Sequence, residues 1–523
     1  MLTPVRASRT TSLRLLAIGA VAATIAAACG SSGSGVTATR SESGNGVVTV
    51  TTDASVTTIG GETTTPDTVT EDTSGPLTPP TAESIPVSVE QIIDFGDAKP
   101  PQEYDAYMNA AFVDITQFWT ENFPVYYGGT FEPVSGIYAH YPDRTPLPES
   151  CQGPVAYEEV YGNAFWTDCG DIIVYDDDFL LPELVTKLGV AAVAVVAAHE
   201  YGHAIQGRAG VFDIPGLRTI DTEQQADCFA GAWSAHVARG ESPLLSFGDP
   251  EIKAGLVAMI EVRDPPGTDS ANDPSGHGNA FDRVGAFQEG FVGGIDRCKT
   301  FPEDPPRRVD LVFTTQEEVD TGGNLPYDQI VDALPKALDT FWVPTLTNSG
   351  ISFTPPTYVP YPHDGPFPAC TTGDQTGFQN NAVYCSDSNT IAYDDEYVQA
   401  LYGLYGDMAF AYPIMDAYSD AVQTALGSGL TGEPRVLLND CLGGAWVIDI
   451  VPASIDADGF PVATNPDQEI LLSAGDLDEV VQTAVLEGDT AGDMDVVGTA
   501  FEKIDAFRDG VLDGLAGCQA RLG

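Results

Sequence analysis

The pattern of apolar and polar positions changes near residue 95. Residues 29–94 are dominated by Thr, Ser, Gly, Val and Asp, and no aromatic residue occurs before Phe95. Such a segment cannot bury enough apolar surface to offset the conformational entropy lost on folding. We therefore predict a disordered tether over 29–94 and folded structure from residue 95 onward.

The first 28 residues have a different pattern. Three arginines, Arg6, Arg9 and Arg14, precede an apolar run at 15–28 that ends in small residues before Cys29. This is typical of a secretory signal peptide and is too short for a membrane span. An A-x-A cleavage site and a lipoprotein box both place the cut before Cys29. If Cys29 is lipidated, the protein is exported and anchored to the outer face of the cell membrane. Secretion without an anchor is the alternative.

Within the folded part, helical patterns outnumber strand patterns. The apolar run before Gln206, without Pro or turn residues, predicts a buried helix over about 184–206. Residues 171–175 are a candidate strand beside it. The fold class expected is α+β, mainly helical with a small antiparallel sheet.

The folded part contains an internal repeat. The segment 278–298, GNAFDRVGAFQEGFVGGIDRC, aligns without gaps with 498–518, GTAFEKIDAFRDGVLDGLAGC, and DCFAGAW at 227–233 pairs with DCLGGAW at 440–446. Further matches occur in the same order. We predict a tandem duplication, with one domain over 95–302 and a second over 303–523.

The cysteines follow the same duplication. Four fall in each copy, and with Cys29 they account for all nine. In an exported chain this predicts two disulfides per domain, and four cysteines allow three pairings. The short local spacing favours the pairs Cys151–Cys169, Cys228–Cys298, Cys370–Cys385 and Cys441–Cys518. A zinc–thiolate cluster is the less favoured alternative because the chain has no CxxC.

Charge excludes some classes of partner. Asp and Glu number 76 against 22 Lys and Arg, for a net charge of −54. A surface this acidic repels phosphate backbones and anionic headgroups, so we expect no nucleic-acid partner and no polybasic attachment to membranes.

The candidate chemistry lies in HEYGH. On a helix, His199 and His203 stand at i and i+4, so both imidazoles project from one face and can bind one ion, with Glu200 beside them. This is the HExxH zinc motif. Two histidines that merely pack in a core are the alternative interpretation.

A catalytic zinc needs a third protein ligand and an open position. Glu223 and Asp227 also stand at i and i+4, after a predicted helix start in which Thr222 and Gln225 form a capping box. A second helix could bring Glu223 to the metal while Asp227 accepts the spare N–H of a ligating histidine. The alternative is that both acids only solvate a helix start.

The second copy differs at these positions. Asp416, Ala417 and Asp420 align with the motif residues, and Val436 aligns with Glu223. The second domain is therefore expected to keep the scaffold and to lack the metal site. His277 is lost in the same way, which suggests that it donates a hydrogen bond to an oxyanion in the reaction. An exposed loop histidine is the alternative.

The chain resembles the neutral zinc metallopeptidases of bacteria over about residues 100–300. The likeness rests on IVYDDDF, HEYGHAIQ, EQQADCFAGAW, the HG pair and Arg283, and the cysteines. It implies a zincin-like peptidase domain with His199, His203 and Glu223 as zinc ligands and Glu200 as general base. The degenerate second domain and the long tether depart from the family.

Together these observations predict an extracytoplasmic zinc peptidase that acts on a peptide or protein substrate, with Glu200 and His277 as catalytic residues. The alternative is a catalytically inactive zinc-binding or cell-envelope interaction lipoprotein.

Overall fold

The computed structural model describes residues 89–144, 147, 149–150, 153–273, 275–370, 377–456, 460–489 and 498–522. The predicted signal peptide, Cys29, the tether up to residue 88 and Cys151 lie outside these residues. Below, the first half means residues 89–302 and the second half means residues 303–522.

The first half is mainly helical. Its helices are α1 (Asp105–Tyr126), α2 (Tyr157–Val160), α3 (Leu180–Leu188), α4 (Val190–Ala209), α5 (Thr219–Ala238), α6 (Asp249–Glu261) and α7 (Ala280–Cys298). Its strands are β1 (Ile93–Asp94), β2 (Gly136–His140), β3 (Glu149–Ser150), β4 (Gly153–Pro154), β5 (Ala164–Thr167) and β6 (Ile172–Asp176). The main sheet has the order β1-β2-β6-β5, and β3 pairs with β4 in a separate two-stranded sheet.

The second half presents helices and strands in a similar order. Its helices are α8 (Gln316–Thr321), α9 (Tyr327–Asn348), α10 (Asp395–Leu404), α11 (Asp407–Leu426), α12 (Glu433–Ile450), α13 (Asp476–Glu487) and α14 (Ala500–Asp513). Its strands are β7 (Thr357–Tyr361), β8 (Ala382–Cys385), β9 (Thr390–Asp394), β10 (Pro452–Ile455) and β11 (Pro461–Ala463). The sheet order β7-β9-β8 repeats β2-β6-β5, with one parallel and one antiparallel pair in each.

The mixed α and β content agrees with the predicted class. The prediction of an antiparallel sheet is wrong, because the main sheet contains both parallel and antiparallel pairs. Strand β2 runs parallel to both β1 and β6, and only β5 pairs with β6 in the antiparallel sense. The hairpin β5–β6 is a local pairing that a sequence pattern can indicate. The parallel neighbours are separated along the chain by connections that carry no such signal.

Three predicted boundaries are wrong. The helix expected over 184–206 is two helices, because Gly189 adopts a φ of +89° and ends α3 before α4 begins. Helix α5 begins one turn before the proposed capping box, and Asp221 accepts the backbone N–H of Arg218 at its start. Ordered structure begins before residue 95, since Ile93 is buried in β1.

Helix α4 passes through the core of the first half, and every residue from Ala191 to Gln206 is buried. It is rich in Ala and Val, and Gly202 lets α5 approach closely. A Cβ at Gly202 would lie 3.1 Å from the Cα of Ala226. This close contact brings α5 beside HEYGH.

Glycines also set the crossing of α5 and α7. A Cβ on Gly231 would lie 2.0 Å from the carbonyl oxygen of Phe287, and one on Gly290 would lie 1.9 Å from that of Cys228. The disulfide Cys228–Cys298 joins the same two helices. Helices α12 and α14 cross in the same manner, with Gly444 and Gly510 at the contact and the disulfide Cys441–Cys518 beside it.

The two halves pack directly against each other. Asp478 at the start of α13 accepts the N–H of Phe281 at the start of α7 and forms an ion pair with Arg263. Arg508 from α14 donates to the carbonyl of Phe281 and stacks over its ring at 4.3 Å. No helix in the described ranges combines the length and apolarity that a membrane span requires.

Candidate metal centre

The two motif histidines and Glu223 converge on one point. The Nε2 atoms of His199 and His203 lie 3.2 Å apart. The carboxylate of Glu223 lies 3.3 Å from the first and 3.4 Å from the second, and all three side chains are buried. Helices α4 and α5 therefore bring together the three residues that the sequence proposed as ligands.

The second ring nitrogen of each histidine has a hydrogen-bond partner. His199 donates from Nδ1 to Asp227 Oδ1 at 2.7 Å. His203 faces Gln206 Oε1 at 2.9 Å. The amide nitrogen of Gln206 donates to the carbonyl of Thr222, which leaves Oε1 as the acceptor and makes His203 Nδ1 the donor.

These hydrogen bonds decide whether the residues fit a metal. With both Nδ1 atoms protonated, each neutral ring turns an Nε2 lone pair toward the other and toward Glu223. Glu223 Oε2 is buried and has no hydrogen bond, although His199 Nε2 is only 3.3 Å away. Lone pairs in contact need either a proton or a metal ion between them, and two imidazoles with one carboxylate are a ligand set that zinc takes at catalytic sites.

The charges around the histidines are negative. Burial disfavours the charged ring of His199, but Asp227, with Glu223 and Glu200, outweighs burial and raises the pKa of His199 to about 10. Burial also acts to raise the pKa of Glu223, yet His203 and His199 hold the pKa of that carboxyl well below its usual range. Without a metal, the cluster therefore retains a proton, which a metal ion would displace.

The carboxylate of Asp227 accepts two hydrogen bonds from one arginine. Arg283 on α7 donates from Nε to Oδ2 at 3.0 Å and from Nη2 to Oδ1 at 2.8 Å. Both side chains are fully buried. The ion pair supports the carboxylate that orients His199, so Arg283 acts on the site through Asp227.

Glu200 lies against the edge strand of the main sheet. The N–H of Trp166 in β5 donates to Glu200 Oε2 at 3.1 Å, and the carboxylate is close enough to raise the pKa of both motif histidines. Glu200 therefore lies beside the candidate metal cluster.

His277 lies near the cluster, in the loop before α7. Its Nδ1 is 3.2 Å from Asp264 Oδ1, and its backbone N–H also donates to Asp264. Burial acts to lower the pKa of His277, but Asp264 and Glu223 outweigh burial and raise it. The ring is buried, which disagrees with an exposed loop histidine.

The corresponding positions of the second half hold side-chain cations. Asp420 forms an ion pair with Arg435, the residue before Val436. Asp440 forms one with Lys503 at 3.1 Å, and Lys503 also faces Asp416. Arg435 thus supplies a cation beside Asp420, whereas Lys503 takes the place that Arg283 has in the ion pair with Asp227 of the first half.

Sequence reasoning missed Gln206 and Asp264 and assigned no orienting role to Arg283. Gln206 carried a usable signal, because it follows His203 by three positions and so lies on the same helix face. Asp264 carried none, since its contact with His277 depends on a loop.

Three predicted disulfides are confirmed: Cys228–Cys298, Cys370–Cys385 and Cys441–Cys518. Cys169 is disulfide-bonded, and its predicted partner Cys151 lies outside the described residues.

The chain matches no family model and no solved structure. It is 34% identical over 150 residues to uncharacterized proteins of Mycobacterium bovis and of two strains of Mycobacterium tuberculosis. The match covers 24% of this chain and 51% of each relative, so the chain spans about half the length of these relatives.

Proposed function

We propose that this protein is a zinc-dependent peptidase. The observation that carries the proposal is the convergence of His199, His203 and Glu223, with the carboxylate of Glu200 beside them. Zinc held by these three residues would act as a Lewis acid that polarises a substrate carbonyl and acidifies a water molecule.

A side chain of the protein, Glu200, then transfers the protons. Glu200 takes the proton of the attacking water on its carboxylate and returns it to the amine that leaves when the peptide bond breaks. The hydrogen bond from Trp166 N–H fixes one oxygen of Glu200 and leaves the carboxylate oriented by the sheet.

His277 is proposed to stabilise the developing oxyanion. Asp264 and Glu223 raise the pKa of His277 against the effect of burial, and a protonated ring would donate from both nitrogens. Asp264 accepts from Nδ1 and so sets the direction of the ring. A cationic donor near the reacting carbonyl stabilises negative charge that appears only in the transition state.

The position of Glu200 also supports a peptide substrate. Strand β5 is an edge strand of its sheet, and its backbone contacts Glu200. An extended chain that adds to such an edge would pass the carboxylate, and this is a common way for proteins to bind peptides.

We further propose that the second half is a duplicated domain that has lost its metal set, with the cation of Arg435 beside Asp420 in its place. The matching element order and strand pairing support this. Export is proposed from the apolar leader and fits the three disulfides, which form in oxidising compartments.

The test is the substitution Glu200→Gln in the full chain. We expect wild-type protein to contain about one zinc per chain and to cleave a peptide library in a chelator-sensitive manner. Glu200→Gln should keep the zinc and lose at least about a hundredfold in cleavage rate. The control is Glu183→Gln on α3, a half-exposed glutamate whose loss should change neither quantity.

Two results would contradict the proposal. Full cleavage by Glu200→Gln would exclude this residue as the base. Stoichiometric zinc in wild-type protein without cleavage of any peptide would favour the inactive zinc-binding protein.

A further inference from the structure

Three acidic side chains outside the candidate zinc centre form a second buried cluster. Asp407 is the first residue of α11, and Asp476 and Glu479 lie in the first turn of α13. One carboxylate oxygen from each lies within 4.8 Å of the others. Their exposed fractions are only 3%, 3% and 5%.

Backbone N–H groups bind one oxygen of each carboxylate. Leu325 donates to Asp407 Oδ2 at 2.7 Å, Ser473 to Asp476 Oδ2 at 2.7 Å, and Met408 to Glu479 Oε2 at 2.8 Å. The other oxygens of the two aspartates, both named Oδ1, are buried and have no hydrogen bond. These backbone donors thus account for only part of the hydrogen-bonding capacity of this cluster.

Within the part of the chain that the structure describes, the cluster has no basic partner, in contrast with other buried carboxylates of this protein. Asp478 pairs with Arg263, Asp440 with Lys503 and Asp420 with Arg435. Among the described residues, no Lys, Arg or His nitrogen lies within ion-pair distance of the cluster. Buried carboxylates crowded together without a counterion are strongly unfavourable, so a cation or shared protons must compensate.

A further oxygen lies at the cluster. Asn324 Oδ1 accepts the N–H of Asp407, and a Cβ on Gly406 would lie 2.2 Å from this oxygen and 2.1 Å from Glu479 Oε1. Gly406 therefore keeps the space between two candidate ligand oxygens open. Any larger residue there would fill it.

We propose that Asp407, Asp476 and Glu479 bind a calcium ion. The donors are carboxylate oxygens without nitrogen or sulfur, a set that selects hard cations and not zinc or copper. Calcium accepts buried cages made of protein oxygens, whereas magnesium usually keeps several waters. The unbonded Oδ1 atoms supply the lone pairs, and Asn324 adds a neutral oxygen.

The position of the site indicates what calcium does. It would join the first turns of α11 and α13, and α13 contacts the first half through Asp478. The ion would stabilise the second half and its junction with the first. This role is independent of the zinc centre and of peptidase activity.

The experiment uses the full chain, stripped of metal and reloaded with one equivalent of zinc. Calorimetric titration with CaCl2 should show one saturable site, and CaCl2 at about 5 mM should raise Tm by about 5 °C or more. Equimolar MgCl2 should give a smaller rise. The double substitution Asp407→Asn with Asp476→Asn should abolish both the binding and the shift.

Two controls separate this site from other acidic surfaces. Glu317→Gln with Asp320→Asn removes two exposed carboxylates from α8 and should keep the full calcium response. Glu223→Gln removes a candidate zinc ligand and should keep it as well.

The proposal is overturned if wild-type protein binds no calcium at these CaCl2 concentrations and shows no shift in Tm. That result would mean that shared protons, and not calcium, compensate the charge of the cluster. The proposal is equally overturned if the Asp407→Asn and Asp476→Asn variant responds like wild type. Should that variant fail to fold, the wild-type titration alone decides.

Discussion

At the scale of the residue, the candidate zinc centre depends on how its histidines are oriented as much as on the ligands themselves. His199 is oriented by a charged group, Asp227, and His203 by a neutral amide, Gln206. Such partners fix the tautomer and the ring direction, and their loss weakens metal binding. The second half offers a matched position, because Gln423 bonds to the backbone of α12 in the way Gln206 bonds to that of α5.

We therefore expect Gln206→Leu to weaken zinc binding about tenfold or more, since His203 Nδ1 loses its acceptor. Competition with a chromophoric chelator measures the change. Gln423→Leu disturbs the equivalent packing without touching the histidines and should leave zinc affinity unchanged. Equal zinc affinity in the two variants would show that Gln206 does not orient His203.

At the scale of the element, glycine contacts decide how close the helices of each half approach. Gly231 and Gly290 allow α5 and α7 to cross with backbone against backbone, and the Cys228–Cys298 bridge joins the same pair. The crossing positions Arg283 on α7 against Asp227 on α5. Small residues at one crossing thus support the orientation of His199.

We expect Gly231→Ala to lower the free energy of unfolding by about 2–3 kcal/mol, because its Cβ would overlap the carbonyl of Phe287. Urea unfolding measures the loss. Gly403→Ala in α10 is the control: a Cβ there meets nothing within 4 Å, and the substitution should stabilise the protein by about 0.5–1 kcal/mol. A destabilisation of similar size in both variants would contradict the crossing argument.

Helical spacing could predict the ligand set, because i and i+4 positions share a face wherever a helix forms. HEYGH and the Glu223–Asp227 pair both lie on helices, and the structure brings their side chains together. The parallel pairing of β2 with β6 could not be predicted, since it joins strands without a local turn. The contact of His277 with Asp264 depends on a loop. The proposed calcium cluster depends on two helices that are far apart in the chain. Neither arrangement produces a pattern in the sequence.

At the scale of the whole molecule, the junction between the halves contains buried charge. Asp282 on α7 is buried, accepts the N–H of Val309 and lies near Arg508 of the second half. Burial is the main cause that raises the pKa of Asp282 to about 7. The folded protein therefore binds a proton at Asp282 between about pH 4 and 7 that the unfolded chain has released.

It follows that this group makes the folded state less stable as pH rises from 4 to 7. Asparagine resembles the protonated carboxyl and cannot ionise. We therefore expect the free energy of unfolding of Asp282→Asn, relative to that of wild type, to rise by up to about 3 kcal/mol between pH 4 and 7. Unfolding free energies at several pH values measure the difference. Asp296→Asn, at an exposed position of the same helix, should keep the wild-type slope, and identical slopes in all three proteins would exclude Asp282 as the source.

The contact of Asp478 with Phe281 and Arg263 has a consequence for biosynthesis. The acceptor lies 197 positions after the N–H that it binds, so the ribosome makes the beginning of α7 long before its partner exists. Until α13 has been translated, Arg263 lacks its ion-pair partner Asp478, and the N–H of Phe281 lacks its acceptor. A prematurely terminated chain would carry the complete HEYGH segment and still lack the contacts that Asp478 makes with Phe281 and Arg263.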